Sequence, residues 1–213
     1  MPYIYRVRTH ASLDRLESLI AERLKPGADK ENIDKRIWAL FGERWAVMFT
    51  DLAGFSRQVA EYGVVHFLQT IFESQRVLVP CIEEFDGILL KTEGDSMLVI
   101  FRDAEKAVCC AVDMQVRLKQ YNQGKPANEQ IELCLGIGYG DVLRIGDDDV
   151  FGAEVNAASK LGEDTAGPWE ILLTDNVRQQ LAGDKRWRCE PIDYVPPGAR
   201  AAFRLAGTGA DGQ

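Results

Sequence analysis

The order of apolar segments after residue 44 is the feature that most limits how this chain can fold. Trp45–Phe49 is apolar at every position, which predicts a strand buried on both faces. Helical periodicity follows over about Ser56–Phe85. The runs Ile88–Lys91 and Ser96–Phe101 flank a Glu-Gly turn, so they predict a hairpin.

The next segments complete a recognisable order. A helix is predicted from Ala104 to about Tyr121, and a strand over Ile131–Tyr139 that Gly140–Ile145 continues. The resulting β-α-β-β-α-β order predicts an α+β fold with a ferredoxin-like core. A helix containing Val155–Leu161 and the strands and helix after it are extra C-terminal α/β elements.

The N-terminal segment has its own pattern. Ser12–Leu24 carries leucine and isoleucine at helical spacing, and a second amphipathic helix begins near Asp29 and stops before Gly42. We therefore expect an N-terminal helical extension over 1–43, a main domain over 44–206 and a disordered tail over 207–213.

Composition narrows the function. Acidic residues outnumber basic ones 33 to 25, and the net charge of −8 disfavours broad binding to nucleic acid or anionic lipid. The five cysteines show no C-x-x-C spacing and are expected to be reduced core thiols. Only two histidines are present, which leaves little material for a zinc site or a histidine-based triad. No signal peptide and no apolar run near 18 residues is visible, so we expect a soluble cytoplasmic protein with no membrane contact.

Two acidic turns are the strongest candidates for chemistry. Asp51 and Asp95 each lie where an apolar strand meets a turn, so the sheet would hold both carboxylates for hard cations that also contact phosphate. Gly54 allows close backbone approach, and the helix beginning at Phe55 and Ser56 would direct its N-terminal amides at an anion. A helix N-cap role for Asp51 and a hairpin role for Asp95 are the simpler alternatives. The combination favours a metal and phosphate site.

Other polar positions have a simple structural alternative. Lys91 ends an apolar strand and would by default extend to solvent. The acidic run Asp147–Asp149 is most simply a polar turn. Asn156 and Lys160 lie four residues apart on one predicted helix face, where exposure is the default.

Three segments together resemble the catalytic domain of class III nucleotidyl cyclases. They are Phe49–Ser56, Lys91–Asp95 and Val150–Leu161, in this order, and the resemblance covers about Trp45–Leu181. It implies the class III cyclase fold, with 44–206 as the catalytic domain.

The resemblance also assigns residues. It implies that Asp51 and Asp95 bind two divalent cations, Mg²⁺ or Mn²⁺, with the Leu52 carbonyl completing one coordination shell. Both ions would act on the α-phosphate and the leaving pyrophosphate.

For the base and the ribose, the resemblance points to four further positions. Lys91 and Asp149 correspond to the pair that reads adenine, Lys as a donor to N1 and Asp as an acceptor from the exocyclic amine. Asn156 corresponds to the residue that orients the ribose. Lys160 stands where the family usually has an arginine on the transition-state phosphate. The pattern favours ATP over GTP, hence adenylate cyclase activity giving cyclic AMP and pyrophosphate.

In this family the active site forms between two subunits, one giving the metal aspartates and the other the base and transition-state residues. This chain has both sets, which implies a homodimer with shared active sites. Two alternatives stay open: a cyclase for another nucleotide, either GTP or a pyrimidine triphosphate, and a catalytically silent nucleotide-binding signalling module.

Overall fold

The computed structural model describes residues 10–208, apart from the side chains of residues 55–58 and 208. This part of the chain forms eight strands and seven α-helices. The helices are α1 Ala11–Arg23, α2 Lys30–Phe41, α3 Phe55–Tyr62, α4 Val64–Glu84, α5 Ala104–Tyr121, α6 Ala153–Gly162 and α7 Asp175–Gln180. The strands are β1 Gly42–Leu52, β2 Ile88–Glu93, β3 Ser96–Phe101, β4 Leu133–Ile145, β5 Asp149–Phe151, β6 Ile171–Thr174, β7 Trp187–Pro191 and β8 Ala202–Thr208.

All the strands belong to one sheet. Its order is β2-β3-β1-β4-β6-β8-β7, and β5 pairs with the end of β4. Neighbouring strands in the order β2, β3, β1, β4 are antiparallel, as in a ferredoxin-like core, whereas β4 and β6 are parallel. The predicted α+β fold with added C-terminal elements is confirmed.

Strand β1 is buried on both faces, as its continuous apolar run predicts. Ala46 and Met48 lie in the main core with α4, α5 and α7. Trp45 and Val47 point to the opposite face, where they join a smaller apolar cluster that includes Val155 of α6. This alternation fixes the end of β1 between two packed layers.

Helix α6 packs so closely on β4 that the two backbones are nearly in contact. Gly136, Gly138 and Gly140 alternate along β4 and so share one face of the strand. A Cβ on Gly136 would come within 2.2 Å of the Ala158 carbonyl oxygen, and one on Gly138 within 2.5 Å of the Glu154 carbonyl oxygen. The glycine face of β4 therefore sets the position of α6 on the sheet.

The two N-terminal helices pack on the far end of β4. Leu19 of α1, with Ile33, Ile37 and Phe41 of α2, buries Ile145. Because α2 ends at Phe41 and β1 begins at the next residue, the helical pair continues directly into the strand that ends near Asp51.

The structure differs from the sequence prediction in two places. The helix predicted over Ser56–Phe85 is interrupted at Gly63, whose φ of +84° is left-handed, and it forms α3 and α4. Strand β8 continues to Thr208, so the first two residues of the predicted tail belong to the sheet. The rest of that tail, 209–213, lies outside the described residues.

Two expectations from composition can be compared with the structure. All five cysteines are free, and Cys81, Cys110 and Cys134 are buried. Within the described residues, no helix has both the length and the apolar character needed to cross a bilayer.

Candidate active site

The two predicted acidic turns meet at one edge of the sheet. Asp51 is the penultimate residue of β1, and Asp95 lies in the turn between β2 and β3. Because β1 pairs with β3 in the register Thr50↔Met97, the turn before β3 lies beside the end of β1. Ser96 Oγ donates a hydrogen bond of 3.4 Å to Asp51 Oδ1, which joins the two turns directly.

The carboxylates of Asp51 and Asp95 are electrostatically unfavourable without a cation. Burial, then the charge of Asp95, then that of Glu163, raises the pKa of Asp51 to about 6. Burial also raises the pKa of Asp95. Its Oδ2 atom is buried and has no hydrogen-bond partner.

This arrangement fits divalent cations that also contact a substrate. Mg²⁺ is usually held by one or two carboxylates, with water and substrate phosphate completing its shell. Asp51 and Asp95 supply that number, and the orphaned Oδ2 atom is an available ligand. No group of three or more His, Cys, Asp or Glu side chains that could hold a metal occurs in the described part of the chain. Leu52 is 4% exposed and pairs with Leu133, so its side chain belongs to the core and only its main chain is available.

A stability measurement on the metal-free protein tests these charges. Burial raises the pKa of Asp51 from its ordinary 3.8 to about 6 in the folded chain, so its ionisation destabilises the fold fully above about pH 6 and not below pH 3.8. In EDTA at pH 8 we expect Asp51→Asn to stabilise the protein by about 1–2 kcal/mol after solvent screening, or roughly 2–8 °C in Tm. The gain should vanish near pH 4.

Thermal unfolding from pH 4 to 8 measures this difference. Glu17→Gln, which removes an exposed charge from α1, is the control and should give no pH-dependent gain. A lower Tm for Asp51→Asn than for wild type at pH 8 would contradict the proposed repulsion.

A second group of predicted residues converges on the neighbouring cavity. Lys91 Nζ lies 3.0 Å from Asp149 Oδ2, although the two residues are 58 positions apart. The same ammonium lies 3.0 Å from Glu93 Oε1, and this hydrogen bond, followed by that to Asp149, raises the pKa of Lys91. Asp149 Oδ1 accepts the Val150 N–H at 2.9 Å. Lys91 is therefore held by two carboxylates and does not simply extend into solvent.

The cavity beside this pair has a volume of about 280 Å³. Polar side chains from four elements line it, with an apolar floor from β1, β3, β5 and α6. The lining residues are Phe49, Lys91, Glu93, Ser96, Leu98, Asp149, Val150, Phe151, Val155, Asn156, Ser159 and Glu163. A larger groove of about 420 Å³ lies near Trp38 and Arg44, but it contains none of the predicted site residues.

Helix α6 contributes to this cavity only in part as predicted. Asn156 lines it together with Lys91 and Asp149. Lys160 does not line it: its ammonium is half-exposed and lies 2.5 Å from Asp164 Oδ2. Asn156 and Lys160 were predicted to share one helix face, but Asn156 is directed to the cavity and Lys160 to the surface.

The predicted phosphate-binding turn follows Asp51 directly. Gly54 is the N-cap of α3 and has a φ of +82°. This left-handed conformation favours glycine at the position where the sequence predicts a close backbone approach. Phe55 and Ser56 form the start of α3, and their side chains lie outside the described residues.

The sequence prediction missed four polar residues that line the cavity: Glu93, Ser96, Ser159 and Glu163. Ser159 and Glu163 follow Asn156 by three and seven positions, in α6 and at its C-cap, so helical periodicity contained the signal. Ser159 Oγ donates to Glu163 Oε2 at 2.5 Å, which holds that carboxylate at the end of the cavity nearest the aspartates.

The chain belongs to the family described as the adenylate and guanylate cyclase catalytic domain, whose model matches residues 42–199. Class III cyclase domains bind a nucleotide substrate and use divalent metal ions, so the pair of carboxylates and the cavity have the expected character.

Two of the curated relatives are named as adenylate cyclases, and a third is named as a protein kinase. The chain is 28% identical over 169 residues to the "Putative adenylate cyclase 3" of Rhizobium meliloti, covering 79% of this chain and 26% of the relative. It is 29% identical over 176 residues to an adenylate cyclase of Streptomyces coelicolor, covering 82% of this chain and 40% of the relative. The match to the serine/threonine-protein kinase pkn2 of Myxococcus xanthus is 29% identical and covers 71% of this chain and 20% of the relative. The chain thus spans well under half the length of these relatives.

Solved structures of cyclase domains have the same fold. An adenylate/guanylate cyclase/hydrolase from Silicibacter pomeroyi aligns with a TM-score of 0.64 at 26% identity, covering 77% of this chain and 96% of that one. The adenylyl cyclase CyaB from P. aeruginosa gives 0.65 at 22% identity and 80% and 97% coverage. The guanylyl cyclase Cya2 gives 0.63 at 22% identity and 81% and 96% coverage. The neighbours include both adenylyl and guanylyl cyclases.

Proposed function

We propose that this chain is an adenylate cyclase that converts ATP to 3′,5′-cyclic AMP and pyrophosphate. The observation that carries the choice of base is the contact of Lys91 Nζ with Asp149 Oδ2 at 3.0 Å, on the cavity that Asn156 also lines. The adenylate cyclase names of the Rhizobium and Streptomyces relatives agree with it.

The Lys91–Asp149 pair matches the hydrogen-bonding edge of adenine. An ammonium has three N–H donors, and Lys91 uses two on Glu93 and Asp149, so one is available for purine N1. A carboxylate accepts several hydrogen bonds, so Asp149 can take the exocyclic amine while holding Lys91. Guanine presents a carbonyl oxygen where Asp149 needs a donor.

The reaction joins the ribose 3′-oxygen to the α-phosphorus and breaks the bond from that phosphorus to the bridging oxygen of pyrophosphate. Two Mg²⁺ or Mn²⁺ ions held by Asp51, Asp95 and the Leu52 main chain would supply Lewis acidity at the 3′-hydroxyl and the phosphates. Asn156 orients the ribose for in-line attack. Lys160 supplies positive charge to the transition-state phosphate but lacks the planar fork of an arginine.

Main-chain groups complete the phosphate site. The left-handed Gly54 exposes the first amides of α3, at Phe55 and Ser56, beside the end of β1. These donors favour an anion at the same edge of the sheet as Asp51 and Asp95.

We further propose a homodimer in which each site takes its metal carboxylates from one chain and Lys91, Asp149, Asn156 and Lys160 from the other. The Lys160 ammonium points away from the cavity of its own chain, so in this arrangement it would meet a phosphate held by the carboxylates of the partner chain. Phe151, a large apolar side chain on the rim of the cavity, is 51% exposed and suits burial by a second chain. The proposed catalytic domain is 44–206, with 1–43 as its helical extension.

A cyclase for another nucleotide is the second candidate, and Glu93 is the observation that favours it. Its carboxylate lies 3.0 Å from Lys91 on the same cavity and could accept the N–H groups of guanine. A silent nucleotide-binding module is less well supported, because both metal-site carboxylates are present.

Product analysis decides among these functions. The purified protein is incubated with ATP, GTP, CTP or UTP, each with Mn²⁺ or Mg²⁺, and the products are identified by mass spectrometry. Cyclic AMP as the main product supports the proposal. A different cyclic nucleotide selects the second candidate, and no cyclic product at all contradicts cyclase activity.

A base-exchange variant tests the proposed roles of Lys91 and Asp149. Lys91→Glu combined with Asp149→Cys reverses one charge and removes one acceptor. Mismatched partners in a closed site cost about 1–3 kcal/mol, so the ratio of kcat/KM for ATP to that for GTP should fall by roughly 5- to 150-fold.

Lys160→Arg is the matched control, because this position is assigned to phosphate and not to the base. It should change both rates and leave their ratio constant. An unchanged ATP-to-GTP ratio in the double variant, with activity remaining, would show that other residues read the base.

A further inference from the structure

Glu154 is a buried acidic residue to which neither the motifs nor the proposed mechanism gives a role. It lies in the first turn of α6, two residues before Asn156, and is only 5% exposed. Burying a carboxylate is costly unless hydrogen bonds replace the lost water. Its contacts therefore indicate what this residue does.

The carboxylate of Glu154 accepts three hydrogen bonds from neutral donors. Oε2 accepts the Tyr139 N–H at 2.9 Å and the Thr174 hydroxyl at 2.7 Å. Oε1 accepts the Asn176 side-chain amide at 2.7 Å. Burial raises the pKa of Glu154, and these three donors act in the opposite direction.

These donors come from three different elements. Tyr139 belongs to β4, Thr174 ends β6, and Asn176 lies in α7. The parallel pairing of β4 with β6 ends at Ile137↔Leu173. Glu154 therefore accepts a hydrogen bond from a β4 amide just beyond the last paired residues. One carboxylate therefore joins the start of α6 to both strands and to the next helix.

The backbone around Glu154 is shaped to admit it. A Cβ on Gly140 would lie 2.8 Å from Glu154 Cγ, and one on Gly138 would lie 2.9 Å from Oε2. On the other side, Gly198 has a φ of +104° and passes within backbone distance of Ala153. Larger residues at Gly138 or Gly140 would therefore clash with the Glu154 side chain.

Among the described residues, no side-chain hydrogen bond caps the start of α6. Its N-cap is Gly152, which offers no side chain to the first amides. Nevertheless, this turn has to present Asn156 to the cavity at a fixed height above the sheet. A displacement of about 1 Å in a substrate-orienting group can cost roughly 100-fold in rate.

We propose that Glu154 is a positioning residue for catalysis: its three hydrogen bonds fix the first turn of α6 on β4 and β6 and thereby set Asn156 against the ribose. This inference rests on the proposed cyclase function. A purely structural role would lower stability alone. A positioning role also lowers kcat but leaves the affinity for the nucleotide nearly unchanged. Lys91 and Asp149, the two residues proposed to bind the base, are not altered.

Three chains are compared: wild type, Glu154→Ala and Glu154→Gln. In Glu154→Ala we expect kcat to fall by about 10- to 100-fold, the ATP KM to change by less than about threefold, and the amides of 155–158 to exchange hydrogen faster. Glu154→Gln should recover kcat to within about fivefold of wild type. Its amide oxygen accepts from Tyr139 and Thr174, and its NH₂ group donates to Asn176 once that amide turns.

Met114→Ala is the stability control. Met114 is fully buried in α5, in the main core that α6 does not join, so its truncation lowers Tm without acting on α6. Its kcat, measured well below its Tm, should equal that of wild type. Thr174→Val removes one of the three hydrogen bonds with little change of shape. It should give a partial loss of kcat and a partial rise in exchange, and it serves in place of Glu154→Ala should that variant not fold.

Several results would overturn the positioning role. They are a kcat for Glu154→Ala within threefold of wild type, an equal loss of kcat in Met114→Ala, a Gln variant as slow as the Ala variant, or unchanged exchange over 155–158. Failure of the proposed function is recognised separately, since wild type would then form no cyclic nucleotide. The exchange measurement still tests how Glu154 holds α6 in that case.

Discussion

Asp51→Asn and Asp95→Asn are each expected to lower cyclic nucleotide formation by at least about 1,000-fold in a chain that stays folded. Divalent ions stabilise transition-state charge by several kcal/mol, and each 1.4 kcal/mol corresponds to a factor of ten. An amide keeps the size of the carboxylate but loses the charge that two adjacent cations need. Rates with Mg²⁺ and Mn²⁺ measured over a wide range of metal concentration, together with circular dichroism, test this expectation.

Asp147→Asn is the matched control for these substitutions. Asp147 lies in the exposed turn between β4 and β5, where the same chemical change removes a charge far from the paired carboxylates. Its activity should stay near that of wild type. Near-normal turnover in Asp51→Asn or Asp95→Asn would remove the two-metal mechanism.

The part of the fold that was predictable is the part set by local pattern. Short apolar runs bounded by turns predict buried strands, and three such runs are Trp45–Phe49, Ile88–Lys91 and Ser96–Phe101. Once those strands pair as a ferredoxin-like core, Asp51 and Asp95 have to meet, because they lie at the ends of neighbouring strands.

The break between α3 and α4 shows where local pattern fails. The helical period is compatible with one helix over Ser56–Phe85, and a single glycine within it costs only about 1 kcal/mol. Gly63 instead adopts a left-handed φ of +84°, which glycine tolerates readily, and there α3 ends and α4 begins. Periodicity alone does not register that choice.

Contacts across long sequence separations were the other gap. No pattern within β2 indicates that Lys91 lies beside a residue 58 positions later. Its link to Asp149 was assigned through the resemblance to cyclases, and the structure brings the two together because β5 folds back on β4. Glu154 was missed for the same reason, since its donors lie on three other elements.

Two inactive chains should restore each other when mixed, if each site takes its parts from two subunits. Asp51→Ala removes a metal carboxylate, and Asn156→Ala removes the ribose-orienting amide. In a mixed dimer one site carries both lesions and the other carries none. Free exchange at a 1:1 ratio makes half the dimers mixed, so the expected rate is about a quarter of wild type, against almost none for either variant alone.

The pair Asp51→Ala and Asp95→Ala is the decisive control for this experiment. Both carboxylates of one site come from the same chain, so every site in that mixture lacks one of them, and no activity should return. Exchange is verified independently by pulling down an untagged chain with a tagged one. If exchange occurs and the Asp51→Ala and Asn156→Ala mixture stays inactive, the two sets of residues do not complement each other across chains. The cavity formed by Lys91, Asp149 and Asn156 would then have to work with the aspartates of its own subunit, and the outward Lys160 would have no part in the reaction.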